Sequence, residues 1–308
     1  MKYFTHIPVI LAALLCLACN GQKTAEPAEA PAQESLTQLN SFQESNEFVT
    51  VNLSLELPNG TDDASQLMRD SLTAEFIRIA TQVGYQEEDA GAIAPFTGDP
   101  ADASAVVTYY GKAVSNYLLN LAKADHEQRI GYLKEDTSIP DSTREQLMEE
   151  ITPWNFDFNL RKSLETVTYV IYSGEGYVYY GGAHGGVTGA GAMTFNKSNG
   201  QQVMHFVNPD ATLALQPQIR KGLLRYYGEY GEPLTDQELS ERLMLPEPDD
   251  SIIPQPKQIP FPNAAGDSLT FTYGQYEIAC YADGMPSFKI AVKDLAPYLT
   301  DEAKAILP

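Results

Sequence analysis

The chain has 308 residues, 43% hydrophobic and 10% aromatic, enough for one large core or two smaller ones. Its 41 acidic and 20 basic side chains leave a formal charge of −21. That charge excludes nucleic acid and anionic phosphate surfaces as partners drawn in by long-range attraction, and favours a basic protein partner.

At the N-terminus, Met1-Lys2 gives a short basic start, and Ile7–Leu17 is apolar apart from Pro8 and Cys16. A brief apolar core ending in small residues predicts a secretory signal over residues 1–18, too short to span a bilayer as a helix. Leu17-Ala18-Cys19 resembles a bacterial lipobox, which makes Cys19 the lipidated new N-terminus, although position −3 is Cys16 where Leu is usual. Cys280 is then left without a partner, so no disulfide framework is expected, and it reads as a small buried hydrophobe. Residues 19–45, rich in Ala, Pro, Glu, Gln and Ser, read as a disordered tether of roughly 30 Å average span. No later stretch is long and apolar enough for a membrane span, so the lipid is the expected anchor.

Residues 46–153 read as a smaller α+β module. Val49, Val51, Leu53, Leu55 and Leu57 alternate with polar residues as a half-buried strand. Asp62 or Asp63 can cap a helix with Met68, Leu72, Phe76, Ile79 and Val83 on one face, closed by Gly84. A second helix carries Val107, Tyr110, Val114, Tyr117, Leu118 and Leu121, and a short polar helix spans Asp141–Glu150.

From Trp154 to residue 308 the pattern predicts an antiparallel meander packed with helices, so the fold class is α+β. Trp154, Phe156, Phe158 and Leu160 alternate, Thr166–Tyr172 is a strand, Ser173–Gly176 a turn and Tyr177–Tyr180 a return strand. A loop with six glycines follows within Tyr177–Gly191, with His184 at its centre. It reads either as a corner where a twisted sheet bends or as a recognition surface built on that corner. Met193–Asn196 and Gln201–Phe206 form a hairpin about a turn ending in Gly200. Pro209 opens a helix through Tyr227, Thr235–Glu238 is a capping box, and six prolines make Pro246–Pro262 an extended connector. Strands are expected at Ser268–Tyr273, Tyr276–Tyr281 and Phe288–Val292, and a closing helix at Leu295–Leu307.

Tyr180-Gly181-Gly182-Ala183-His184-Gly185 resembles the Tyr-x-Gly-Gly-Ala-His signature of the RsiV/PdaC-like extracytoplasmic domain family. Leu269–Gly284 resembles its second signature, and Asp294–Leu299 also fits, so the resemblance covers about residues 154–307. The resemblance implies an extracytoplasmic binding module, found in lysozyme-sensing anti-sigma factors, beside polysaccharide deacetylase domains and in lipoproteins. This chain departs from it in showing no transmembrane or sigma-binding segment and no second catalytic domain, and in placing Cys280 where Pro is usual.

The chemistry-bearing residues are sparse. Beyond the signal, the histidines are His126, His184 and His205, with no metal-ligand or nucleophile motif, so no catalytic residue, metal or cofactor is expected. Among 18 tyrosines, several cluster in the two signatures, and tyrosine gives rigid contact area with a polar tip. The expected ligand-binding residues are Tyr179, Tyr180, Gly181, Gly182, His184, Tyr273, Tyr276 and Glu277. The resulting expectation is a non-catalytic binding lipoprotein on the outer membrane or cell surface, for a basic protein such as lysozyme or for peptidoglycan. A cell-wall processing enzyme or accessory that uses His184, and a structural envelope protein, stay open as alternatives.

Overall fold

The computed structural model describes residues 36–83, 92–182, 184–229, 234–245 and 251–308. The signal, Cys19, Gly84, Ala183 and the start of the proline-rich connector lie outside them. The central sheet has the order β1 (Thr37–Ser45), β2 (Val49–Pro58), β3 (Trp154–Glu165), β4 (Tyr169–Tyr179), β5 (Gly186–Asn196). β3, β4 and β5 are the expected antiparallel meander, whereas β2 pairs with β3 in parallel, Val49 opposite Trp154 and Leu55 opposite Leu160. The parallel pair needs a crossover, supplied by α1 (Asp63–Thr81), α2 (Ala103–Glu135) and α3 (Asp141–Glu149). The sheet therefore runs unbroken across residue 153.

Period-2 alternation sends two sets of side chains in opposite directions from this sheet. Val49, Val51, Leu53 and Leu55 of β2 join Trp154, Phe156, Phe158 and Leu160 of β3 under α1 and α2. On the other face of the parallel pair, Asn52 donates to Asp157, Ser54 to Asn159, and Arg161 to Ser54, a polar ladder between partly buried neighbours. β4 is buried on both sides over its first half. Val170 and Tyr172 enter the core beneath the long helices, while Tyr169 and Ile171 enter a second core. That second core is closed by α4 (Gln216–Glu229), α5 (Asp236–Arg242) and the three-stranded sheet β6 (Phe261–Pro262), β7 (Ser268–Thr272) and β8 (Ser287–Ala291). The C-terminal segment adds α6 (Val292–Leu295) and α7 (Asp301–Lys304).

Several local expectations are corrected. Thr37–Ser45, read as the end of the tether, is β1: Asn40 takes a buried position while Leu39 is exposed, so its apolar side chains do not follow the strand period. Ser173–Gly176 is no turn, because β4 continues through it with Gly174 and Gly176 paired on both sides. The glycine-rich stretch from Gly186 is strand β5, and the register shifts from Gly174 opposite Gly191 to Gly176 opposite Thr188. Two residues there oppose one, a bulge that Gly191 accommodates at φ +67°. Gln201–Phe206 keeps one bridge, Gln202 to Phe195. The helix expected from Pro209 splits into a 3-10 turn at Pro209–Ala211 and α4, leaving Leu213 exposed. Leu295–Leu307 likewise breaks into short turns, with Pro297 inside the first of them.

Tyr276–Tyr281 is not a strand. Its first residue, Tyr276, has φ +60°, outside the extended region, and the Ile278 carbonyl accepts from Met244 N at 2.8 Å rather than joining a ladder with β7. The partner of β7 is β8 instead. Cys280, expected to be buried, is exposed, because it precedes a 3-10 turn at Tyr281–Asp283 and its thiol donates to Asp283 Oδ2 at 3.1 Å.

Gly200 closes the turn after β5 at φ +72°, where a Cβ would lie 2.2 Å from the carbonyl oxygen of Ala64 at the start of α1. The conformation and the backbone contact both require glycine. A Gly200→Ala variant is expected to lose about 2–3 kcal/mol, by the added costs of strain and overpacking, read as a lower midpoint in urea at unchanged slope.

Candidate functional site

The two glycine- and tyrosine-bearing stretches, about ninety residues apart in sequence, meet on one surface. Tyr180–Gly185 is the connection between β4 and β5, and Gln275–Tyr281 is the irregular segment after β7. Their contact is polar and aromatic. Tyr281 Oη donates to the Gly185 carbonyl at 3.0 Å, and Val187 N donates to Gln275 Oε1 at 2.9 Å. The rings of His184 and Tyr281 stack with centroids 4.1 Å apart at 25°. Tyr276 adds a third ring, 5.9 Å from Tyr281.

His184 Nδ1 lies 3.0 Å from the same Gly185 carbonyl. A carbonyl only accepts, so Nδ1 carries the proton, and in the neutral ring Nε2 is an acceptor. The single oxygen of Gly185 thus receives two hydrogen bonds, one from each stacked ring. A Cβ on Gly185 would fall 2.2 Å from Tyr177 Oη, so a larger residue there would displace the exposed Tyr177 ring. Gly181, at φ +78°, lets Trp154 approach, its Nε1 only 2.7 Å from where a Cβ would stand.

Behind the rings the loop is rigidly held. Glu277 accepts from Gly274 N and from Lys257 N, both at 2.7 Å, and Tyr273 Oη donates to the Pro254 carbonyl at 2.7 Å. Burial, helped by the Glu277 charge, pushes the Tyr273 hydroxyl far above its ordinary pKa, so it stays a donor at any physiological pH. Asp283 anchors the far end of the segment. Burial raises its pKa, but hydrogen bonds from the Cys280 thiol and the Arg242 guanidinium outweigh that and hold the carboxyl below the usual range. Arg242 Nε lies 2.6 Å from Asp283 Oδ1, and its guanidinium covers the Tyr227 ring at 4.4 Å.

The expected site residues therefore divide. His184 and Tyr276 share the exposed aromatic cluster, Tyr276 being 61% accessible. Gly181 and Gly182 are exposed beside it. Tyr179 is partly buried at the end of β4, and Tyr180 packs on Trp154 with ring centroids 5.4 Å apart. Tyr273 is fully buried and Glu277 is engaged by backbone amides, so both shape the loop from beneath. The residues that join the two stretches, Tyr281 and Gln275, were visible in the sequence only as parts of the second signature. His126 contacts Phe48 and Arg129, away from this cluster. Among the described residues no three His, Cys, Asp or Glu side chains gather as a metal site, and no helix is long and apolar enough to cross a membrane.

Tyr276 has φ +60°, and it is the one non-glycine residue with positive φ among the described residues. For a bulky side chain this is strained, and it holds an exposed ring in place. A groove of about 440 Å³ adjoins it, lined by Met244, Leu245, Pro254, Gln255, Lys257 and Glu277.

Two measurements test this geometry. Ring stacking shifts the His184 imidazole proton resonances upfield, and Tyr281→Ala is expected to return them to ordinary values without unfolding the chain. A carboxyl with depressed pKa stabilises the fold above its unfolded value and loses that contribution as pH falls through the folded value. Asp283→Asn is therefore expected to destabilise the protein at neutral pH and to flatten its loss of stability on acidification below about pH 4, measured by thermal melting across pH.

Comparison with known proteins adds a family likeness. Among curated proteins none matches the sequence. The solved structure of a DUF3298 family member from Bacteroides fragilis superposes with a TM-score of 0.57 at 17% identity, covering 88% of this chain and 96% of that one, which shows a shared fold. A DUF3298 family protein from Pseudomonas aeruginosa aligns at TM-score 0.47 and 12% identity over 90% of this chain and 98% of its own. Residues 208–293, from the turn before α4 to the start of α6 and including the Gln275–Tyr281 half of the aromatic surface, match the family described as protein of unknown function (DUF3298).

Proposed function

We propose that this chain is a lipid-anchored lipoprotein of the bacterial envelope whose α+β body is a non-catalytic binding module, of the RsiV/PdaC-like kind, for a basic protein such as lysozyme or for peptidoglycan. The observation that carries the reading is the aromatic surface of His184, Tyr276 and Tyr281, built where two separated signatures meet, with Tyr276 held exposed against its backbone preference. Backbone strain of this kind clusters at functional sites, ligand clamps among them. Rigid aromatic rings with polar tips suit protein and sugar ligands at low entropic cost. The adjoining groove adds Met244, itself 63% accessible, as an adaptable apolar contact.

At His184, Nδ1 is committed to a backbone carbonyl and one ring face to Tyr281, which leaves Nε2 as the polar tip that can meet a ligand. A charge of −21 supports attraction to a cationic ligand, an effect that salt weakens. The Leu17-Ala18-Cys19 motif supports lipidation, and the signal ahead of it supports export to the outer membrane or cell surface.

Titration of the protein lacking its first 19 residues against hen lysozyme at low and moderate salt tests the ligand. Saturable binding that survives moderate salt and falls at least about tenfold (~1.4 kcal/mol) in His184→Ala or Tyr276→Ala is the expected result. Binding that vanishes with salt and ignores both substitutions would reduce the encounter to bulk charge and remove the site. Detergent phase partitioning tests the anchor: the full-length protein is expected in the detergent phase and a Cys19→Ala variant in the aqueous phase.

A further inference from the structure

A cavity of about 910 Å³ lies away from the aromatic surface, where α4 meets β8 and α6. Its lining carries Lys221, Arg225, Lys289 and Lys293, a fifth of the 20 basic residues in a chain that is otherwise strongly acidic. None of the four has an ion pair or hydrogen bond among the described residues, and all four are exposed. The lining acids are Asp267 and Asp294, and Asp267 already accepts from Asn263 Nδ2 at 2.7 Å.

The arrangement follows from the fold. Lys221 and Arg225 are four apart on α4 and so share one face, where like charges repel unless an anion lies between them. Gly222 between them brings the helix onto β8, a Cβ there falling 2.1 Å from the Phe288 ring, which sets this face beside the strand carrying Lys289. Lys293 follows at the start of α6. Gln218, one turn before Lys221, also lines the cavity. Four cations against two carboxylates leave this one concave site with a positive excess in a chain of net charge −21, a local attraction for negative charge. The volume falls within the range of small-molecule sites.

We propose that this groove binds a multiply charged oxyanion, a ligand carrying two or more phosphate or carboxylate groups. The inference shares no residue with the aromatic surface and stands or falls apart from it. Calorimetric titration of the protein with sodium tripolyphosphate and, separately, with trisodium citrate tests it, and the preferred anion distinguishes phosphate from carboxylate. The expected result is saturable 1:1 binding of at least one of them, weakened at least tenfold in K221A/K293A and in R225Q. A matched loss of two charges on α2, K112A/K134A, is expected to leave affinity within twofold. Thermal melting of each variant separates lost binding from lost folding. Absence of saturable binding by both anions, or an equal loss in the α2 control, would overturn the proposal.

Discussion

The structure depends on β4 being buried on both faces. Tyr169 and Ile171 point into one core, Val170 and Tyr172 into the other, and β5 beside it divides in the same way, Ala192 into the first and Met193 and Phe195 into the second. A strand in that position cannot slip by one residue without exchanging every side chain between cores, which pins its register. The pinned strand then delivers its far end, Tyr177–Tyr179, and the tight connection to β5, to a fixed place on the surface. The second core fixes the opposing segment through Tyr273 and Ile278. The aromatic cluster is the seam where these two determined elements close on each other, and the Gly185 carbonyl is its shared acceptor.

Charge follows the same division of labour. Glu165 is nearly enclosed, its side chain 2% accessible, and is paired with Lys162 and Lys197 where β3 turns into β4 and β5 ends. Such a buried carboxylate is tolerated only because both cations and their hydrogen bonds meet it. Most other acids lie on the surface and set the outer field of the molecule. The unpaired cations beside α4 are the local exception, and they sit on elements whose inward faces are committed to the second core.

Strong periodicity made much of this legible in the sequence. β2, β3, both long helices, the Thr235 capping box and the Asp62 cap follow from side-chain spacing, because each buries one continuous stripe. Sequence pattern failed where tertiary partners override it. β1 has Asn40 inside and Leu39 outside, and its strand state comes from nine paired positions with β2. Gly174 and Gly176 look like a turn, but cross-strand pairing holds them extended. In the site, the tyrosine clusters and His184 were visible, whereas Tyr273 and Tyr276 could not be told apart: they stand three positions apart, and one is fully buried while the other is exposed. The stacking of His184 on Tyr281 is a contact across 97 residues, and no local signal encodes it.

The position of β1 has a consequence for how copies of this protein meet. It ends the sheet, with one row of backbone amides and carbonyls unpaired by any strand among the described residues. Such a row is a template for a strand from another molecule. The exposed side chains along it are Gln38, Leu39, Ser41, Gln43 and Ser45, polar apart from one leucine and free of β-branched residues. That composition denies an incoming strand the apolar and β-branched contacts that stabilise a new pair. The polarity that hid β1 in the sequence is the same property that makes it a poor template for a strand from another molecule.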